Sequence, residues 1–284
     1  MPDLAVDVLA GVFRALDEAG VKWCWYKGYE HWPMGVGGDV DLAVSPSQLE
    51  ASIEAISALA RRTFARAFVA CSHADVTACH LFFDGLPAVE IDLNAARWYW
   101  AGAPFLDAGA VVASRRRSGD VWVPAPAHEF LLLLLLYGMG PKVAAPRRLR
   151  ALERARGLAL REPEACHLML LDAMGQRSAE DVWKALERGD WPVLLRAARR
   201  THLRAVWRAF MGGEAMQVVR RAAWVFVGRP LSVRNCGLWK GRGRSIRPVR
   251  ASGSGQTGWE DGWLHGVLRQ HASSWIETRR RGLP

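Results

Sequence analysis

The stretch that decides the fold is Gly37-Gly38-Asp39-Val40-Asp41-Leu42-Ala43-Val44. From Asp39 onward, apolar residues recur with the two-residue period of a β-strand. On such a strand Asp39 and Asp41 lie on one face, while Val40, Leu42 and Val44 point to the core. Two carboxylates this close repel each other unless a cation lies between them, although outward acidic residues also occur on half-exposed strands. The strand therefore predicts a cation site, and the glycines before it let the backbone approach a ligand closely.

Two other segments support a cation site. Val21–Tyr26 predicts a strand that runs into a turn at Lys27-Gly28, and Val89-Glu90-Ile91-Asp92-Leu93 predicts a later strand with an acidic face. Magnesium suits such an arrangement, because it binds through one or two carboxylates while waters and substrate phosphates complete its octahedron. Glu90 and Asp92 lie on the same strand face, so the pattern leaves both open as the third carboxylate.

The segment Trp25-Tyr26-Lys27-Gly28-Tyr29-Glu30, followed by Gly37 to Val44, resembles the signature of the DNA-polymerase-beta-like nucleotidyltransferase superfamily. It is most similar to a bacterial branch found among polysaccharide and sugar-modification genes. The resemblance covers residues 20–95 well and the chain up to about residue 225 loosely. It implies a transferase that moves a nucleoside monophosphate from a nucleoside triphosphate such as ATP to an acceptor hydroxyl, with a sugar or another small molecule as the expected acceptor.

The resemblance also implies the roles of individual residues. Asp39, Asp41 and Asp92 would be catalytic and would hold two Mg²⁺ ions, with Asp39 and Asp41 as the paired ligands. The nucleotide would lie against Lys27, Gly28 (the first glycine of the signature), Gly37 and Gly38. Trp98 and Trp100, just beyond the Asp92 strand, are candidates for stacking on a base or a sugar.

Tyr29 departs from the family pattern, because active members usually have a second glycine or a serine at this position. This departure keeps open a second interpretation, in which the chain is a non-catalytic module with a degenerate site that binds a nucleotide or a partner. In that case its basic helical half would bind a partner protein or nucleic acid. For the nucleotidyltransferase interpretation, nucleic acid is possible but not favoured.

The rest of the chain predicts an α+β fold, in which a small mixed sheet with flanking helices is followed by an all-helical domain. Helices are expected at Leu4–Leu16 and after Ser45-Pro46, and strong helical periodicity begins at Ala127. Further strands are expected at Phe64–Ala70 and Ala78–Phe83, and a hairpin is expected to join Val111-Val112 to Val121–Val123. We predict a nucleotidyltransferase-like domain at residues 1–125, a helical domain at 126–227 and a basic, Gly/Arg-rich tail at 228–284.

Charge follows the same division. Residues 1–110 carry seven Lys/Arg and fourteen Asp/Glu, so the formal charge of +10 comes from the remainder of the chain. The tail contains the glycine-rich run Arg250–Gly258, which lacks the Lys-Ser/Thr pair of a phosphate-binding loop. Some relatives are similar to fusions with a P-loop domain at this place, which suggests the hypothesis of a truncated, decayed or frame-shifted P-loop module.

Five cysteines without C-x-x-C spacing indicate neither a disulfide framework nor a zinc site. The N-terminus does not have the pattern of a signal peptide. The longest apolar run, Phe130–Tyr137, is far shorter than the roughly 20 residues of a spanning helix and predicts a buried helix. These features favour a cytoplasmic protein that does not act at a membrane.

Overall fold

The computed structural model describes residues 4–34, 39–63, 67–73, 76–82, 89–100, 103–140, 145–209, 211, 233–240 and 247–249. These residues divide into two compact units. The first contains the described residues within Met1–Ala96, Arg117–Trp122 and Ala223–Pro284, and the second contains those within Arg97–Arg116 and Val123–Ala222. The chain thus leaves the first unit near residue 96, whereas the sequence places the end of the first domain near residue 125.

A mixed sheet forms the centre of the first unit. Its strands are β1 (Trp23–Lys27), β2 (Val40–Val44), β3 (Ala67–His73), β4 (Val76–Phe82) and β5 (Val89–Asn94), joined at one edge by Val233–Lys240 and Arg247–Val249. The order of the first five is β1-β2-β5-β4-β3. Only the β2–β5 pair is parallel among these five; the other pairs are antiparallel. The predicted α+β class with a small mixed sheet is therefore confirmed.

Two helices accompany the sheet, α1 (Leu4–Glu18) and α2 (Leu49–Arg62). The apolar stripe of α1 is buried at Val8, Leu9, Val12, Phe13 and Leu16, as its periodicity predicts. Phe13 stacks on Trp23 with ring centroids 4.6 Å apart, and it also contacts Trp25. The face of the sheet that carries these two tryptophans is therefore an aromatic core, which agrees with the burial expected from their place in a strand.

Strand β2 has no exposed face. Val40, Leu42 and Val44 are fully buried, as predicted, but Ala43 is also fully buried and Asp41 is only 6% exposed. A strand paired on both sides is covered more completely than its alternation suggests, because its neighbours carry side chains on both faces. Asp41 thus lies inside the protein, whereas Asp39, one residue before the strand, is exposed.

The second unit begins with the hairpin of β6 (Arg97–Trp100) and β7 (Ala103–Asp107), followed by α3 (Ala108–Ala113). The strand predicted at Val111-Val112 is wrong, since both valines lie in α3. The side chain of Asp107 accepts a hydrogen bond from the Gly109 N–H at 2.8 Å and so caps the start of this helix. A hairpin is present, but its first strand is β8 (Arg116–Ser118), which turns through Gly119 into β9 (Val121–Val123); of the two predicted strands only Val121–Val123 is confirmed.

Helices make up the rest of the second unit, as the periodicity predicts. They are α4 (Pro126–Leu132) with the π-helical turn Leu133–Gly138, α5 (Ala145–Arg161), α6 (Pro163–Met174), α7 (Gln176–Arg188) and α8 (Trp191–Ala209). Inside this unit, the buried Glu129 forms an ion pair with Arg154. Within the described part of the chain, no helix combines the length and the apolar character needed to cross a bilayer.

Two strands lie in the segment that the sequence assigns to an aperiodic tail. We label them β10 (Val233–Lys240) and β11 (Arg247–Val249); β10 pairs antiparallel with β3 and β11 pairs with β10. An unpaired β3 would present a row of open backbone donors and acceptors, and pairing of this kind depends on the backbone rather than on side-chain periodicity. The glycine-rich run Arg250–Gly258 lies outside the described residues.

Candidate metal centre

The register of the sheet brings three carboxylates together. Strands β2 and β5 are parallel and place Asp41 directly opposite Asp92. Asp39 precedes β2 by one residue, and one carboxylate oxygen from each of Asp39, Asp41 and Asp92 lies within 4.8 Å of the others. The structure thus assembles the three aspartates that the sequence selects, and we call them the aspartate cluster.

A β-bulge in β1 supplies two further groups. Trp25 is opposite Leu42 and Lys27 is opposite Asp41, so Tyr26 is an extra residue in β1. Tyr26 and Lys27 consequently both reach the carboxylate of Asp41. Lys27 Nζ lies 2.7 Å from Asp41 Oδ2, and the Tyr26 hydroxyl donates to Asp41 Oδ1 at 3.3 Å. Lys27 Nζ also lies 3.5 Å from Asp39 Oδ2.

The bulge decides on which face the Lys27 ammonium lies. In a regular strand, Lys27 would be on the same face as Trp23 and Trp25, where burial among aromatic rings would be costly for a charged ammonium. The extra residue reverses the alternation and turns Lys27 toward Asp41. Lys27 thus contacts two of the carboxylates, and its predicted contact with a nucleotide stays a prediction.

Burial makes the Asp41 carboxylate costly to ionise. The pKa of Asp41 is raised from 3.8 to about 6, mainly by this burial and in smaller part by the negative charge of Asp39. The Lys27 ammonium and the Tyr26 hydroxyl act in the opposite direction, but they do not offset the burial. A second cation close to Asp41 would lower this pKa.

Asp92 is still harder to ionise. Its pKa rises to about 7, first because of burial and then because of the charges of Asp41, Glu90 and Asp39. Its Oδ1 atom is buried and has no hydrogen-bond partner among the described residues. A buried carboxylate oxygen without a partner is costly, and a metal ion is one of the groups that can satisfy it.

Glu90, the competing third carboxylate, is not a member of the aspartate cluster. It lies on the same face of β5 as Asp92 but two residues away, opposite His80 of β4 rather than opposite Asp41. Its negative charge still contributes to the raised pKa of Asp92. The geometry therefore favours Asp92 over Glu90 as the partner of Asp39 and Asp41.

The aspartate cluster fits a divalent cation. With all three aspartates ionised, the cluster and Lys27 carry a formal charge of −2, which one divalent ion would balance. The donors are hard carboxylate oxygens, the type that Mg²⁺ and Mn²⁺ bind. Asp39 is exposed, so the cluster opens to solvent on the side where water or a phosphate would complete the coordination.

The turn after β1 is the other part of the predicted site that the structure describes. Gly28 is exposed and has φ 82°, a left-handed conformation that favours glycine, and it precedes the 3₁₀ turn Tyr29–His31. Tyr29 is half-buried. Gly37 and Gly38 lie outside the described residues, so their predicted contact with a nucleotide stays a prediction.

The tryptophans expected to stack on a base are in a different environment. Trp98 and Trp100, on β6, are each about 5% exposed and belong to the core of the second unit. A stacking surface needs an open ring face, so burial removes the reason for assigning them that role. The sequence did not distinguish core from stacking residues here, because both call for an aromatic side chain on a strand.

Comparisons with known proteins leave the site to be interpreted from its own geometry. No family model matches this chain, and no curated protein matches it. Among solved structures, the crystal structure of JHP933 from Helicobacter pylori has a TM-score of 0.37 and 11% sequence identity to this chain, and the match covers 76% of this chain and 99% of that one. A TM-score of this size does not establish a common fold.

Proposed function

We propose that the chain is a magnesium-dependent nucleotidyltransferase of the DNA-polymerase-beta-like type, which transfers a nucleoside monophosphate from a nucleoside triphosphate to an acceptor hydroxyl. The observation that carries this proposal is the aspartate cluster, with its formal excess of negative charge and the orphaned Oδ1 of Asp92. Three carboxylates on adjacent strands are suited to holding two cations against a triphosphate.

Each side chain has a distinct role in this proposal. Asp39 and Asp41 would hold the metal on the triphosphate, with Asp39 on the solvent side where the substrate enters. Bound magnesium would neutralise the negative charge that develops on the phosphates. Lys27 favours the ionised form of the buried Asp41 carboxylate, although it does not offset the burial.

Asp92 is the group proposed to act on the acceptor. A carboxylate whose pKa lies near neutrality can accept a proton, and Asp92 Oδ1 has no other partner among the described residues. In the proposed reaction the acceptor oxygen forms a bond to the α-phosphorus, the bond from that phosphorus to the bridging oxygen breaks, and pyrophosphate leaves. The proton of the acceptor hydroxyl passes to the Asp92 carboxylate. A sugar or another small molecule is the proposed acceptor.

A non-catalytic module is the second candidate. Tyr29 supports it, because a half-buried phenol follows Gly28 at the place where active relatives have a small residue. The ion pairs of Lys27 with Asp39 and Asp41 also support it, since an internal cation already offsets part of the charge. Such a module would bind a nucleotide or a partner without turning it over.

Calorimetry with and without Mg²⁺ tests the proposal. Mg²⁺ should produce a binding event for ATP, GTP, CTP or UTP that is absent in EDTA and is lost in Asp39→Asn/Asp41→Asn, because neutral amides hold magnesium poorly. Asp172→Asn, an exposed residue of α6, is the matched control and should bind as the wild type does. Equal affinity in the double variant would refute the metal assignment. Metal-dependent binding without pyrophosphate release, across a panel of sugar and small-molecule acceptors, would favour the non-catalytic module.

A further inference from the structure

The hairpin of α7 and α8 encloses a cleft of about 340 Å³ that the proposed reaction does not use. Helix α7 ends at Arg188, and Gly189 follows with φ 67° before α8 begins. The left-handed glycine reverses the chain direction and brings the end of α7 beside the start of α8. The cleft lies entirely within the second unit, so it is a feature of the helical hairpin itself.

Four cationic side chains line this cleft. Lys184 and Arg188 are one turn apart on α7, and Arg196 and Arg200 are one turn apart on α8. All four are exposed, and none makes an ion pair or a side-chain hydrogen bond to another described residue. Their donors are therefore available to a ligand. Like charges brought close together also favour the binding of an anion.

The cleft also contains two carboxylates, which differ in their availability. Asp190 Oδ1 accepts a hydrogen bond from the Val193 N–H at 3.0 Å, so this side chain serves as part of the start of α8. Asp181 is exposed on α7. The lining thus keeps a formal charge of +2.

Small side chains also line the cleft. They are Ala185, Val193 and Ala197. The volume lies in the range of small-molecule sites, which begins at about 300 Å³. A polymer strand would extend beyond it.

We propose that this cleft binds the phosphate groups of a small polyphosphorylated molecule. Three of the four cations are guanidinium groups, whose planar donors match pairs of phosphate oxygens, and they converge from two helices on one small space. Two or three linked phosphates can contact cations of both helices at once. This site is independent of the aspartate cluster, because it needs no metal.

Calorimetry of the full chain with inorganic tripolyphosphate, in EDTA to keep the aspartate cluster free of metal, tests the proposal. Arg188→Gln/Arg196→Gln should weaken binding by about tenfold or more, and Lys184→Gln/Arg200→Gln should do the same. The matched control is Arg147→Gln/Arg150→Gln on α5, which removes two exposed arginines outside the cleft and should change affinity by less than about twofold. Circular dichroism verifies that each variant is folded.

Three results would overturn the proposal. One is the absence of tripolyphosphate binding, or binding that neither cleft variant weakens. Another is an equal loss of affinity in the α5 control, which would indicate attraction by net charge alone. The third is a single-stranded oligonucleotide that binds through the cleft arginines many-fold more tightly than tripolyphosphate, which would make the ligand a nucleic acid. Because EDTA is present throughout, these results are distinguishable from failure of the proposed transferase activity.

Discussion

Replacing Asp92 by asparagine should stabilise the metal-free protein at alkaline pH. The folded-state pKa of Asp92 is raised from 3.8 to about 7, so the folded protein holds this proton more tightly than the unfolded chain does. A raised carboxyl pKa contributes stability that is fully present below about pH 4 and is lost as the pH rises to about 7. Asparagine is neutral throughout this range and removes that loss.

The pKa shift sets an upper bound on the effect. At about 1.4 kcal/mol per pKa unit, a rise from 3.8 to about 7 corresponds to roughly 4 kcal/mol. Asp92 is partly exposed and its titration is coupled to that of Asp41, so we expect a gain of about 2 kcal/mol at pH 8. At pH 4 the two proteins should be nearly equal in stability, because the wild-type carboxyl is then protonated in the folded state.

Urea denaturation in EDTA at pH 4, 6, 7 and 8 measures this difference. Asp172→Asn, which replaces an exposed carboxylate, should follow the wild type at every pH. Added Mg²⁺ should stabilise the wild type at pH 8 more than it stabilises Asp92→Asn, since a ligand bound only by the folded state raises its stability and the variant lacks one of the three carboxylates. The assignment of Asp92 as a buried, uncompensated charge would be refuted if Asp92→Asn were less stable than the wild type at pH 8. It would also be refuted if the variant lost stability with rising pH as steeply as the wild type does.

Three other predictions follow from the site and the sheet. Asp92→Ala should reduce nucleotide transfer by several orders of magnitude and leave triphosphate binding largely intact, whereas Glu90→Ala should have a mild effect; similar mild losses measured for both in a pyrophosphate-release assay would exclude β5 from the site. Gly28→Ala should destabilise the fold by about 1 kcal/mol, because alanine is strained at φ 82° although its Cβ meets no neighbour, and chemical denaturation measures this. Pairing of β10 with β3 should slow tryptic cleavage after Arg234, and cleavage there as fast as in the unfolded chain would restore the interpretation of an unpaired tail.

The elements that the sequence predicts well are those whose side-chain pattern and surroundings agree. The stripe of α1 and the long helices of the second unit follow helical periodicity, because each has one apolar face to bury. Val111-Val112 favours a strand because both residues are β-branched, but the capping side chain of Asp107 starts the helix α3, which contains both valines. The Asp107 cap is thus a feature of the sequence that indicates this helix. The pairing of β10 has no such indication in the sequence, because hydrogen bonds between backbones leave little trace in composition.

The sequence predicts which three residues form the aspartate cluster, but it does not predict their burial or their neighbours. The spacing of Asp39 and Asp41 and the acidic face of β5 indicate three nearby carboxylates. Their burial depends on which strands pair with β2, and so does the opposition of Asp41 to Asp92. The ion pairs of Lys27 could not be predicted from the sequence for a related reason, since a regular strand directs this side chain to the other face of the sheet.

The bulge at Tyr26 has a consequence for changes in chain length. In a regular strand, deletion of one residue transfers every later side chain to the opposite face. In β1, deletion of Tyr26 would instead restore regular alternation and leave Lys27 opposite Asp41, with Trp25 still opposite Leu42. The hydrogen bond from the phenol would disappear, together with the packing of its buried ring. Related chains that are one residue shorter at this point can therefore keep the same lysine–aspartate pair, and an alignment gap at position 26 is compatible with a preserved site.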